Sequence, residues 1–248
     1  MIIKKIKINY LRKIKLFLIS LIIFFLIYIL YLLYENDDLN SNNRTIEKDG
    51  FIIINNPYNK NDILKYLPKG YNFINYIYEI KGCSISTFHR DITSSQYIFN
   101  TEYPVYTYII YHNTGKLLSI VPNSHKTIPF LWDKVYTISG KGNTGILFNS
   151  DLIHAGAINE FGDKRYAIQY KICHYKDLNK LNHLIGVNKT KIGKCSNKFS
   201  YEIFLRKISL LFPYIINHLF TELIQKKPEK DSILDYLINK YYIGDFYL

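Results

Sequence analysis

Cysteine is scarce in this chain. Only Cys83, Cys173 and Cys195 occur, and no two of them form a Cys-x-x-Cys pair. Zinc ribbons and dithiol redox motifs are therefore excluded, and an odd count permits at most one intrachain disulfide plus a free thiol. Methionine and tryptophan appear once each. Acidic residues are also short, 20 against 32 basic ones, which leaves a net charge of +12. Such a balance ordinarily raises nucleic-acid or anionic-membrane binding. Here the lysines are scattered apart from an N-terminal cluster and form no stripe, so no nucleic-acid partner is expected. The chain is instead rich in Ile, Asn, Lys and Tyr, a bias matching AT-rich codons.

Long charge-free apolar runs are absent apart from residues 16–34, nineteen residues of mostly Leu, Ile and Phe. As a helix this run would extend about 28 Å, close to a bilayer's hydrocarbon thickness. Lys4, Lys5, Lys7, Arg12, Lys13 and Lys15 precede it, and Glu35, Asp37 and Asp38 follow. That asymmetry predicts a cytoplasmic tail over 1–15 and an uncleaved signal anchor over 16–34. The result would be a single-pass type II membrane protein with its body lumenal or extracellular. A polar stalk is expected over 35–50. Glycosylation sequons at Asn43 and Asn188 agree with this placement, though sequons arise often by chance in an Asn-rich chain.

The body, expected over 51–178, carries an apolar run at 51–54 and a short helix capped by Asn61. Strand-like runs follow at 71–80, 84–89, 105–111, 116–121, 135–139, 144–148 and 165–173. Short, regularly spaced strands favour an all-β barrel or sandwich. After Asp177 the pattern turns helical, with helices expected over 201–224 and 232–242 in a C-terminal extension, 179–248.

Chemistry concentrates at the end of the run 84–89. His89 and Asp91 lie two apart, so on a strand both side chains reach the same face and one metal. A third donor is needed, and His154 is the candidate. Two imidazoles and a carboxylate make the facial triad of non-haem Fe(II) oxygenases, which leaves positions open for cosubstrate and O2. Arg165 stands eleven residues beyond His154. It shares one strand face with Ala167, Gln169 and Lys171, where a guanidinium beside a small residue suits a buried dicarboxylate. Gln96 and Tyr97, on the loop after Asp91, are candidate substrate contacts. His112 and His125 read as structural or surface residues.

These residues carry a resemblance. His89, Asp91, His154 and Arg165 resemble the iron and cosubstrate set of the 2-oxoglutarate/Fe(II)-dependent dioxygenases. Pro122, Asn123, Ser124 and His125 look like the Pro-Gly-Ser-His segment of the phytanoyl-CoA dioxygenase branch, with Asn123 in place of Gly. The run 145–148 is similar to that branch's strand leading to the distal histidine. The resemblance implies a mainly-β fold, a double-stranded β-helix (jelly roll), here with flanking helices and the N-terminal transmembrane helix before it. It implies Fe(II), 2-oxoglutarate and O2 as cofactors, with ascorbate a further candidate. The implied reaction is hydroxylation of a small-molecule, lipid, glycan or peptide substrate, with succinate and CO2 as coproducts. Two alternatives stand beside it: a non-catalytic jelly-roll scaffold on the same anchor, and an AlkB-like nucleic-acid demethylase, which a lumenal body disfavours.

Overall fold

The computed structural model describes residues 2–32, 44–57, 59–83, 86–126, 134–158, 164–193, 206, 209 and 210, with only the backbone of 2–10 and 29–32. The chain divides into two units, Met1–Tyr34 and Glu35–Leu248.

The first unit is one helix, α1 (Ile2–Leu32), whose side chains from 11 to 27 are all exposed. Among the described residues no helix is long and apolar enough to cross a membrane. The expected span over 16–34 is therefore not found among them. The described side chains, 11–28, include Arg12, Lys13 and Lys15, and the end of the expected span lies outside them.

The second unit is mainly β and jelly-roll-like, with two sheets facing each other. Residues 44–50, expected to end a stalk, instead hold α2 (Ile46–Asp49), capped by the Thr45 hydroxyl. Among the described residues ten strands follow: β1 (Phe51–Asn55), β2 (Tyr71–Phe73), β3 (Tyr76–Gly82), β4 (Tyr106–Tyr111), β5 (Gly115–Ile120), β6 (Tyr136–Gly140), β7 (Thr144–Asn149), β8 (His154–Gly156), β9 (Arg165–His174) and β10 (Val187–Gly193). A four-residue helix, α3 (Gln96–Phe99), sits between β3 and β4. The large sheet runs β1-β7-β4-β9-β3-β10, with β2 also on β9, and the small one runs β6-β5-β8.

Register sets the inner face of the large sheet in rows. Phe51, Phe148, Thr107 and Lys171 form one row, and Ile53, Ile146, Ile109 and Gln169 the next. Alternation along each strand then sends Tyr108, Leu147 and Ile172 to the opposite face, where they form a separate cluster. Between the sheets, Phe51, Phe148, Leu117, Leu118, Ile120 and Ile138 pack together. Each such side chain contributes about 1.5–3 kcal/mol of burial free energy.

Several expectations change in detail. The run 71–80 breaks into β2 and β3, because Ile74 donates to the Lys171 carbonyl and Tyr76 then turns back to Ile74. The short helix is a 3-10 turn (Lys60–Tyr66) capped by Asn59, not Asn61. The expected strand at 84–89 does not form among its described residues: Phe88 N–H goes to the Ser209 hydroxyl, and only His89 makes a bridge, to His154. The large sheet takes β10 from beyond residue 178, pairing it parallel to β3. Cys83 is disulfide-bonded and Cys173 is a buried free thiol. The expected helix at 232–242, Asn43 and Cys195 lie outside the described residues, as does nearly all of 201–224.

Candidate metal centre

His89 reaches the centre through one backbone bridge. Its N–H donates to the His154 carbonyl at 3.0 Å, and His154 N–H returns the bond at 2.9 Å. His154 opens β8, which pairs with β5 opposite Ile120. Asp91 is placed by its own N–H, which donates to the Ser150 carbonyl at 2.8 Å. The three side chains then offer ligand atoms all within 4.8 Å of one another.

Each imidazole has a fixed orientation. His89 Nδ1 lies 2.7 Å from the Thr87 carbonyl, and His154 Nδ1 lies 2.8 Å from the Leu152 carbonyl. A carbonyl can only accept, so Nδ1 carries the proton and Nε2 keeps its lone pair for a metal. Both Nε2 atoms face Asp91 Oδ1, at 3.8 Å from His89 and 3.5 Å from His154. Burial draws both histidine pKa values down, His89 to about 4. Burial also disfavours charge on Asp91, but Lys171 and the two histidines outweigh it and hold the carboxyl below its usual range. Two neutral nitrogens and one carboxylate oxygen suit a divalent transition metal.

The other carboxylate oxygen is engaged elsewhere. Lys171 Nζ lies 2.6 Å from Asp91 Oδ2 with its side chain 1% exposed. The Thr107 hydroxyl donates to the same oxygen at 2.5 Å. In the sequence Lys171 shares one strand face with Arg165, with no role attached to it. The available signal was a lysine on a strand face that also carries the expected anion-binding arginine.

Arg165 is buried, 3% exposed. Its guanidinium donates to the Ala157 carbonyl, three residues past His154, and lies so close to Gly156 that a Cβ there would collide with it. A larger residue at 156 would therefore have to displace the guanidinium. Burial lowers the Arg165 pKa, with Tyr111 and Arg206 as its electrostatic neighbours. Arg206 is also buried and donates to the Ser86 and Gly156 carbonyls.

The Pro122–His125 turn supports the centre without entering it. Asn123 sits at φ 66°, a left-handed conformation that asparagine tolerates better than most residues. Ser124 Oγ accepts the Ile153 N–H at 2.8 Å, and its carbonyl accepts from Arg90 at 2.8 Å. One turn thus holds the chain beside both His154 and the His89–Asp91 pair. His125 packs against Gly50. Exposed His112 bonds Asn143 and stacks on Tyr166. Gln96 is spent on the loop, its amide donating to the Thr101 and Glu102 carbonyls. Tyr97 is 62% exposed and its hydroxyl donates to the His125 carbonyl. The bonds described for these two residues do not reach the triad.

No family model matches the sequence, and no curated protein matches it. Solved structures do match, among them two non-haem α-ketoglutarate-dependent enzymes of nogalamycin biosynthesis. The epimerase SnoN from nogalamycin biosynthesis is 9% identical over 52% of this chain and 79% of its own, with TM-score 0.36. Iron-bound HygX from Streptomyces hygroscopicus is 11% identical over 52% of this chain and 84% of its own, with TM-score 0.38. Another HygX structure holds nickel and 2-oxoglutarate. AviO1 from Streptomyces viridochromogenes is 15% identical, with TM-score 0.32, over 45% of this chain and about half (55%) of its own. At these identities and scores the likeness assigns neither activity nor substrate to this chain.

Proposed function

We propose that the chain is an Fe(II)- and 2-oxoglutarate-dependent dioxygenase that hydroxylates a C–H bond. The observation that carries this reading is the triad itself: His89 Nε2, His154 Nε2 and Asp91 Oδ1 converge within 4.8 Å. Both Nδ1 atoms are committed to carbonyls, so the donor set fits a ferrous ion. When bound, iron with 2-oxoglutarate and O2 supplies oxidative decarboxylation to succinate and CO2 and the power to oxidise a C–H bond. The chain keeps both rings neutral and the carboxylate ionised, so no proton competes for the ligand atoms at neutral pH. Arg165 supplies a buried fork for the distal carboxylate of 2-oxoglutarate. Asp91 occupies the position that a halide takes in related halogenases, which favours hydroxylation.

The test is anaerobic Fe(II) titration of wild type and His154→Ala, followed by succinate formation from 2-oxoglutarate. One iron per chain in wild type, lost in the variant, supports the reading, and equal stoichiometry overturns it. The Lys171–Asp91 pair favours a second reading. Asp91 already has a cation partner, so a metal-free jelly-roll binding protein is self-consistent. Absence of iron uptake in wild type would select it.

Location is a separate proposal: the N-terminal helix holds the chain at a membrane with the body lumenal or extracellular. Leu16, Phe17, Leu18, Phe24 and Phe25 are among its exposed apolar residues, and a surface of this kind calls for a nonpolar surrounding. The disulfide at Cys83 suits an oxidising compartment. The expected substrate is then a secretory-pathway protein, peptide, glycan or lipid. In microsomes the body should resist added protease until detergent is present, and exposed Asn188 should be glycosylated. Digestion in intact microsomes would place the body in the cytosol and return nucleic acids to the list.

A further inference from the structure

Lys171 is the one buried ammonium described at the metal centre, and its three N–H groups meet three acceptors. These are Asp91 Oδ2 at 2.6 Å, Ser94 Oγ at 2.8 Å and Thr107 Oγ1 at 2.8 Å. An ammonium has three donors, so none remains for a cosubstrate carboxylate. Lys171 is thus not a second anion clamp beside Arg165. Its contacts converge on the orientation of one carboxylate.

That carboxylate has two different oxygens. Oδ1 faces the two Nε2 atoms at 3.5 and 3.8 Å, too far for hydrogen bonds and spaced for an ion among them. Oδ2 receives Lys171 at 2.6 Å and Thr107 at 2.5 Å. Thr107 is held in turn against the Ser150 hydroxyl at 3.1 Å, and Ser150 lends its carbonyl to the Asp91 N–H. For a metal to take both oxygens, Oδ2 would have to leave a charge-assisted bond to an ammonium with no route to solvent. Such bonds are about twice as strong as neutral ones, and the stranded charge would be costly.

We infer that Lys171 is a positioning residue that makes Asp91 a one-oxygen ligand, keeping a coordination position open that a chelating carboxylate would fill. This rests on the triad's being a metal site. The register explains why β9 can do it: Lys171 is the direct cross-strand partner of Thr107, so both donors approach Oδ2 from the floor of the large sheet. The same strand then carries the anion fork at Arg165 and the carboxylate lock at Lys171, at opposite ends of one inward face.

The full chain, stripped of metal, is loaded with Co(II), and the carboxylate stretches are read by infrared difference spectroscopy with isotope-labelled aspartate. One-oxygen binding gives a wide separation between asymmetric and symmetric stretches, and chelation a narrow one. The expected result is one Co(II) per chain and a wide separation in wild type. In Lys171→Met the expected result is the same stoichiometry, a narrowed separation and a shifted visible Co(II) band. Ser94→Ala removes a hydroxyl that bonds Lys171 and the Asp91 main-chain carbonyl but makes no bond to the Asp91 carboxylate, and it should keep the wide wild-type separation. A narrow separation in wild type, or identical spectra in wild type and Lys171→Met, overturns the inference while leaving the metal site standing. Failure of wild type to take up more Co(II) than His154→Ala overturns both. If the Met variant does not fold, the wild-type separation decides alone.

Discussion

His89 and His154 exchange both backbone hydrogen bonds, at 3.0 and 2.9 Å, and their rings stand 4.6 Å apart between centroids. A single bridge does here what a whole strand was expected to do. The spacing of the two nitrogen ligands is set by the main chain, and the Nδ1 bonds to Thr87 and Leu152 then set each ring's rotation.

Metal binding should therefore register as stability. An ion present at a hundred times its dissociation constant stabilises the folded state by about 2.7 kcal/mol. Wild type should show a raised melting temperature with Fe(II) or Co(II) under anaerobic conditions, and His154→Ala should show none. An equal rise in both would place the metal elsewhere.

Arg165→Ala should leave metal stoichiometry intact and weaken 2-oxoglutarate. Truncating one partner of a buried charged pair costs about 2–5 kcal/mol, which is roughly thirtyfold to several thousandfold in affinity. Calorimetry on the metal-loaded protein reads this directly. An unchanged affinity would reduce Arg165 to a structural donor for the Ala157 carbonyl.

The sequence showed the strands whose pattern is unambiguous. β4, β5, β6, β7 and β9 fall within a residue or two of expectation, because each is a short run rich in apolar residues bounded by turn residues. The triad was legible because residue type and order carry it. β8 was not: three residues, His154, Ala155 and Gly156, are too few to show a period. β10 was hidden because its alternation, Val187 to Gly193, is mostly polar on both faces, as suits an edge strand. Lys171 was missed for a different reason. Its partner Asp91 lies eighty residues earlier, and only the register of β4 against β9 brings them together.

Ser124→Ala tests whether the turn at 122–125 supports the centre. Ser124 is fully buried, and its hydroxyl donates to the Val121 carbonyl at 2.7 Å while accepting from Ile153 N–H at 2.8 Å. Leaving a buried group without its partner costs about 1–3 kcal/mol. The denaturant midpoint should fall by that equivalent at unchanged slope. Metal affinity should fall too, because the chain entering His154 loses its tether. A drop in stability with unchanged metal affinity would show that the turn serves the core alone.

Asp177 offers a test of the loop that frames the centre, with the titrating group well away from the ligands. Its carboxylate is 2% exposed as a side chain and 3.3 Å from Lys180. Its two oxygens accept the Glu102 and Tyr103 N–H groups at 2.8 and 2.9 Å, pinning the end of the segment that begins at Asp91. Burial raises its pKa, but the two backbone bonds and Lys180 outweigh this, so the net shift is downward. A carboxyl with a depressed folded pKa contributes stability that is fully present above its unfolded value, about 3.9, and lost as pH falls through the lower folded value. Asp177→Asn keeps the shape, gives up the charge and can accept through only one oxygen. At pH 7 the variant should be less stable by about 1–3 kcal/mol, the worth of a hydrogen bond to a charged group. The gap should begin to narrow below about pH 4, where the unfolded carboxyl takes up its proton, and reach its smallest value once pH has fallen through the lower folded value, where folded wild type also loses the charge. Denaturant titrations of both proteins at a series of pH values measure it. A gap that stays constant through the acid range would mean that the side chain acts by shape alone.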